Sequence, residues 1–147
     1  MGLRGTTDTS VYRGLEDVLR RHPAVTDVRY EPDSVSKRFL RAEIAPGRVV
    51  PPTGPACPTL DVEWRFDGDE PYYRIHYADP NTGFNCGWHR DDDHPELGAV
   101  HFQFEHPGRG DCDHVRATFE KTLPTEILWT ALTRLFDERI PTLTAEG

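Results

Sequence analysis

Four successive segments in the middle of the chain alternate apolar and polar residues with a period of two, and no other feature constrains the fold as strongly. Leu60, Val62, Trp64 and Phe66 alternate with Asp61, Glu63 and Arg65, and Tyr73, Ile75 and Tyr77 with Tyr72, Arg74 and His76. Phe84, Cys86 and Trp88 alternate with Asn85, Gly87 and His89, and Val100, Phe102 and Phe104 with His101, Gln103 and Glu105. Successive side chains on a strand point to opposite faces, so each segment reads as a strand with one dry and one wet face, the pattern of an antiparallel sheet. Weaker strands near Val25 to Tyr30 and Arg38 to Ile44 raise the expected number to about six, with Leu40, Ala42 and Ile44 as the inward set of the second.

Helical spacing appears only at the two ends. Val11, Leu15, Val18 and Leu19 recur as one stripe up to His22-Pro23. A wider stripe, Ile127, Leu128, Ala131, Leu132, Leu135 and Phe136, begins behind Leu123-Pro124, where proline suits the first helical turn, and is expected to stop before Pro141. The resulting expectation is an α+β fold in which a single antiparallel sheet carries an N-terminal and a C-terminal helix on one face. A chain of 147 residues suits one domain over 1–147. Residues 1–9 read as flexible, and 46–58, with five prolines, as an exposed loop. Two further loops are expected at Arg90 to Gly98 and Pro107 to Asp113.

Composition narrows the setting. Acidic residues outnumber basic ones 25 to 17, for a net charge of −8, and two lysines stand against fifteen arginines. Such a surface keeps its water when concentrated salt screens charge over a few ångströms, and it reads as salt-adapted, or halophilic. No apolar run is long enough to span a bilayer and the start lacks a secretory pattern, so a cytoplasmic protein without a membrane partner is expected. Cys57, Cys86 and Cys112 form no C-x-x-C pair and indicate neither a disulfide framework nor a zinc ribbon.

The polar face of the central strands is where chemistry can sit. Pairing Tyr77 with Phe84 across the turn at Asp79 to Gly83 places His76 opposite Asn85, Arg74 opposite Gly87 and Tyr72 opposite His89, with His89 facing His101 or one register step away from it. Tyr72, Arg74, His76, His89 and His101 are thus the candidate catalytic set, and Gly87 leaves a gap for substrate. Two imidazoles and a guanidinium suit phosphodiester cleavage without a metal: one ring takes a proton, another gives one, and the cation steadies the phosphorane. Arg90, Asp92 and His94 in the adjoining loop are candidate substrate contacts. Polar residues are also ordinary on any wet sheet face. Metal-assisted hydrolysis through His89, Asp91, Asp92, His94 and His101 is an alternative, but the spacing matches no metal signature, and neither a metal nor another cofactor is expected.

The segment YRIHYADPNTGFNCGWHRDDDHPELGAVHFQFE, Tyr73 to Glu105, resembles the TumE-like family of toxins from prokaryotic toxin-antitoxin systems. Tyr73, Arg74, His76, Tyr77, Trp88, Asp91 or Asp92 and His94-Pro95-Glu96-Leu97 carry the likeness. The family's second cluster, of the form F-P-H-H-x-H, is reduced here to His101 within Val100 to Phe104. The resemblance implies a toxin that cleaves RNA and is held in check by an antitoxin protein. A non-catalytic protein-binding or regulatory domain remains the alternative reading, and the oligomeric state is left open.

The charge balance generates a first prediction. Net like charge destabilises the compact state, and salt screens it. The melting temperature should rise between low and molar potassium chloride; a flat or falling profile would remove the salt-adapted reading.

Overall fold

The computed structural model describes residues 3–106 and 112–146. Strands β1 (Val25–Glu31), β2 (Phe39–Ile44), β3 (Thr59–Asp67), β4 (Glu70–Ala78), β5 (Asn85–Arg90), β6 (Val100–Glu105) and β7 (Asp113–Arg116) follow one another in space as they do in sequence. Every neighbouring pair is antiparallel. Helix α1 (Thr9–Arg21) precedes this meander, and α2 (Pro124–Arg134) and α3 (Ile140–Glu146) close the chain. No helix among the described residues is long and apolar enough to cross a membrane.

The period-two pattern carries its faces into the structure. Leu60, Val62, Trp64, Ile75, Cys86, Trp88 and Phe102 are buried with Leu128 and Leu132 of α2 in one core, while Phe104 and Phe136 pack against its margin. Trp64 and Tyr73, directly opposite on β3 and β4, stack with centroids 4.3 Å apart. Helix α1 starts where the Asp8 carboxylate accepts the backbone N–H groups of Ser10 and Val11 at 2.9 and 3.3 Å, so that two free donors of the first turn are satisfied. Its buried Tyr12 hydroxyl donates to the Arg38 carbonyl at 2.7 Å and accepts the Trp64 N–H at 3.2 Å. That N–H lies beyond the β2–β3 ladder, which ends at Leu40↔Val62, and the phenol supplies the acceptor that the ladder does not.

Among the described residues the sheet has seven strands, in keeping with the about six expected; the added one, β7, follows the loop expected at Pro107 to Asp113, of which residues 107–111 lie outside the described residues. Four residues with one apolar side chain gave no alternation to detect. The C-terminal helix does not stop at Pro141: Leu135–Arg139 form a π turn, closed by the Ile140 N–H on the Leu135 carbonyl, and Pro141 continues as the second residue of α3. The π turn changes the hydrogen-bond register from i−4 to i−5 just ahead of Pro141, the position at which the proline has no N–H to continue an i−4 ladder. Nor is the whole of 1–9 free, since Thr6 exchanges backbone hydrogen bonds with Phe66 of β3, each 2.8 Å. The Pro-rich segment is the largely exposed loop expected, and it is held to the β4–β5 turn: Asn81 accepts from the Ala56 N–H and donates to the Ala56 carbonyl, while Thr53 donates to the buried Asp79 carboxylate.

Phe102 is 0% exposed and touches Trp88 at a centroid distance of 4.8 Å. Phe102→Ala should lower stability in two-state denaturant unfolding by about 3 to 5 kcal/mol. A loss below about 1 kcal/mol would show that this face is not the core.

Candidate functional site

The face of the sheet turned away from the helices bears a cleft of about 500 Å³, lined among others by Arg4, Tyr72, Arg74, His89, His94 and His101. Arg74, His89 and His101 stand directly opposite one another on β4, β5 and β6, as a row perpendicular to the strands. His101 is 1% exposed and His89 9%, although no helix covers them. The loop between β5 and β6 and the N-terminal segment form the rim. Arg4 joins these two, with its guanidinium 3.0 Å from Asp92 and 3.2 Å from Asp67. Arg4 and Arg90 each place a guanidinium 5.5 Å from the centre of the Tyr72 ring.

Arg74 differs from the other arginines on this face. Arg41 is paired with Asp61 at 2.8 Å and Arg65 with Glu63 at 2.7 Å, whereas Arg74 forms no ion pair or hydrogen bond through its side chain among the described residues. Its cross-strand neighbour on β3 is Glu63, and that carboxylate is taken by Arg65. A half-buried guanidinium beside two buried imidazoles is therefore available to an anion.

The register places these groups two residues from the expected pairing. The β4–β5 ladder runs Arg74↔His89, His76↔Gly87 and Ala78↔Asn85. The turn is tighter than Tyr77 opposite Phe84 would require: the Asp79 N–H donates to the Phe84 carbonyl at 2.9 Å, and Gly83, at φ +84°, donates back to the Asp79 carbonyl at 2.8 Å. A shift of two leaves every side chain on its face, so the faces are correct and the opposites are not. His89 stands opposite His101, one of the two registers the sequence allows. Gly87 makes room for the β4 backbone, and after it the His76 ring, rather than for substrate: a Cβ there would collide first with the Ile75 carbonyl oxygen, then lie 2.8 Å from the His76 Cα and 3.0 Å from its Nδ1.

Of the expected catalytic set, Tyr72, Arg74, His89 and His101 line the cleft, while His76 stands behind His89, with its Nδ1 3.4 Å from His89 Nε2. His76 is thus a positioning residue. Of the expected substrate contacts, Asp92 and His94 line the cleft. Arg90 is turned to the Pro71 carbonyl and to Glu70, and is not among its walls. Arg4 and Gln103 were not expected among the walls, nor His114 beside them, against His94 and His101. Arg4 arrives through the Thr6–Phe66 bridge, and His114 through β7, whose pairing sets it opposite Gln103. Neither placement has a signal in local sequence.

Burial and cationic neighbours keep the inner imidazoles neutral. The His89 pKa is pushed down to about 2, first by burial and then by His76, Arg74, His101 and His114. That of His76 falls to about 4, first through burial and then through Arg74, against smaller opposing effects of Asn85, Asp61 and Glu105. A neutral imidazole keeps one lone pair, so His89 can ligate a metal, but with so low a pKa it is a weak base that takes a proton only transiently and holds none to donate near pH 7. Two groups of donors have metal-ligand character, His94 with His101 and His114, and His89 with Asp91 and His101; within each group the ligand atoms all lie within 4.8 Å. Comparison of the chain with family models, with curated proteins and with solved structures finds no match.

The sign of the pH dependence follows from His76. Its folded pKa, about 4, lies below the ordinary 6.5, so between these values the unfolded chain binds the proton first. Stability is therefore full above about pH 6.5 and is lost as pH falls toward 4, by at most about 1.4 kcal/mol per pH unit for this one ring. His76→Gln should flatten the profile between about pH 6.5 and 5, above most carboxylate titrations. An unchanged slope in urea unfolding would show that His76 is not held neutral.

Proposed function

We propose that this cleft cleaves phosphodiester bonds in RNA and that the chain acts as the toxin component of a toxin-antitoxin pair, a TumE-like protein held inactive by a partner. The single observation that carries the reading is the row Arg74, His89 and His101, with the unpaired Arg74 guanidinium directly opposite a neutral imidazole. In this reading a hydroxyl attacks phosphorus as the His89 lone pair transiently takes its proton, the P–O bond to the leaving oxygen breaks and that oxygen takes the proton back from His89, while Arg74 steadies the charge that grows on the phosphate oxygens and Tyr72 and Arg4 orient the chain of phosphates. Abundant acidic residues weigh against long-range capture of a polyanion, so recognition falls to this short-range row rather than to the field of the whole molecule.

A second reading, a non-catalytic protein-binding domain, is supported by Trp129, 47% exposed on α2 beside Val18 and Lys121. Exposed tryptophan is a common anchor of protein interfaces.

The two readings separate on Arg74. His89 is buried, so its replacement perturbs packing as well as chemistry, and the more exposed arginine is the cleaner probe. The purified chain should cleave a mixed-sequence oligoribonucleotide, and Arg74→Ala should slow cleavage by roughly 10²- to 10³-fold while changing stability by less than about 1 kcal/mol. Expression of the chain alone should arrest growth, and the Arg74 variant should relieve the arrest. Absence of cleavage and of arrest in the parent would sink the toxin reading and leave the binding domain.

A further inference from the structure

We infer that His94, His101 and His114 form a binding site for one tetrahedral divalent cation of the zinc class, a site that departs from the metal-free expectation of the sequence. The three come from different places: His94 from the β5–β6 loop, His101 from the middle of β6 and His114 from β7. Their ring centroids are 4.7, 4.2 and 5.6 Å apart, for His94–His101, His94–His114 and His101–His114. Tetrahedral zinc with nitrogen ligands at 2.0 to 2.1 Å requires nitrogens about 3.3 Å apart. The present limit of 4.8 Å closes to that by side-chain rotation of His94 in its loop and His114 on the edge strand, around a fixed His101.

The neighbours of each ring support ligation more than simple stacking. A histidine ligand carries a proton on the nitrogen that does not bind the metal, and an outer acceptor usually holds that proton. His94 Nδ1 lies 3.3 Å from the Glu96 carboxylate, His101 Nε2 lies 3.2 Å from the Gln103 side-chain carbonyl, and the His114 ring donates to the Cys112 backbone. Each ring thus has one nitrogen engaged by an acceptor and a second with no protein hydrogen bond among the described residues. Three rings stacked only as apolar plates would not need that arrangement at all three positions.

The overlapping group His89, Asp91 and His101 is the weaker candidate. His89 Nε2 faces His76 at 3.4 Å, which leaves one nitrogen, Nδ1, 3.8 Å from Asp91, and this group brings two imidazoles where the first brings three. Three imidazoles leave the fourth position of a tetrahedral ion to a water or substrate atom, and two of them, His94 and His101, are walls of the cleft. The class of reaction such an ion assists, hydrolysis of a phosphate ester, extends the proposed function, but binding of the ion does not rest on that reading.

Zinc chloride titrated into the full chain, followed by a chromophoric competitor and by elemental analysis after dialysis, tests the site without an activity assay. The expected result is one equivalent of zinc per chain. His94→Gln and His114→Gln, both on partly exposed residues whose folding is checked by circular dichroism, should each weaken binding beyond the roughly 10- to 100-fold caused by losing an outer partner, and Glu96→Gln should fall within that range. Asp91→Asn should leave affinity unchanged. Lack of stoichiometric zinc in the parent overturns the inference, and so does binding that survives both histidine changes or is lost with Asp91. Zinc bound at this site by a chain that cleaves no RNA upholds the inference and defeats the ribonuclease reading, whereas RNA cleavage by a chain that binds no zinc does the reverse.

Discussion

Burial of one sheet face beneath α1 and α2 governs what stands on the other. Strand geometry sends alternate residues to opposite sides, so every apolar residue committed to the core also commits its neighbours to the open face. Ile75, Trp88 and Phe102 are directly opposite one another on β4, β5 and β6 and lie in the core. Their neighbours Arg74, His89 and His101 must then form a row on the far side. A one-residue slip in any of the three strands would expose large apolar side chains and scatter that row. The same apolar burial that stabilises the fold therefore aligns the candidate site.

This dependence explains what could be read from sequence. Faces were legible because hydrophobic periodicity reports them directly, and His89 opposite His101 was one of the two registers allowed by keeping Trp88 and Phe102 on the apolar side. The β4–β5 register was not, because a displacement of two residues conserves the faces, and the choice lies in the turn. Asp79 makes that choice: its buried carboxylate accepts the Asn81 N–H and side-chain amide, each at 2.9 Å, and tightens the connection. No periodicity encodes such a local hydrogen-bond pattern. Arg4 and His114 were hidden for another reason, since both are brought in by pairings over long or weakly patterned stretches, Thr6 with Phe66 and β7 with β6.

Neutrality of the inner imidazoles links stability to chemistry. Crowding His76, His89 and His101 onto neighbouring strands would be costly if they were charged, and burial in the β5–β6 groove suppresses protonation of His76 and His89. The lone pair that remains on a neutral ring is what a base or a metal ligand requires. Stability that weakens in acid and a free lone pair near neutral pH are thus two consequences of one arrangement.

The charge of the cleft bears on which chemistry is open to it. Its walls hold Glu63, Asp91, Asp92 and Asp93 against Arg4 and Arg74. Arg65 neutralises Glu63, and Arg4 is already engaged by Asp92 and Asp67, which leaves Arg74 as the positive group free to meet a phosphate from the walls. A lone guanidinium beside two unpaired aspartates holds a polyanion weakly, because the nearest like charges lie within a few Debye lengths even in physiological salt. Two conditions change that balance. Concentrated salt shortens the reach of the aspartates to about 3 Å and leaves the direct Arg74 contact in place. A divalent ion on the imidazoles adds two positive charges at the rim where those aspartates stand. An acidic, lysine-poor surface and a histidine-rich cleft are therefore compatible with an anionic ligand held through short-range interactions with the few residues of the β4–β5–β6 row.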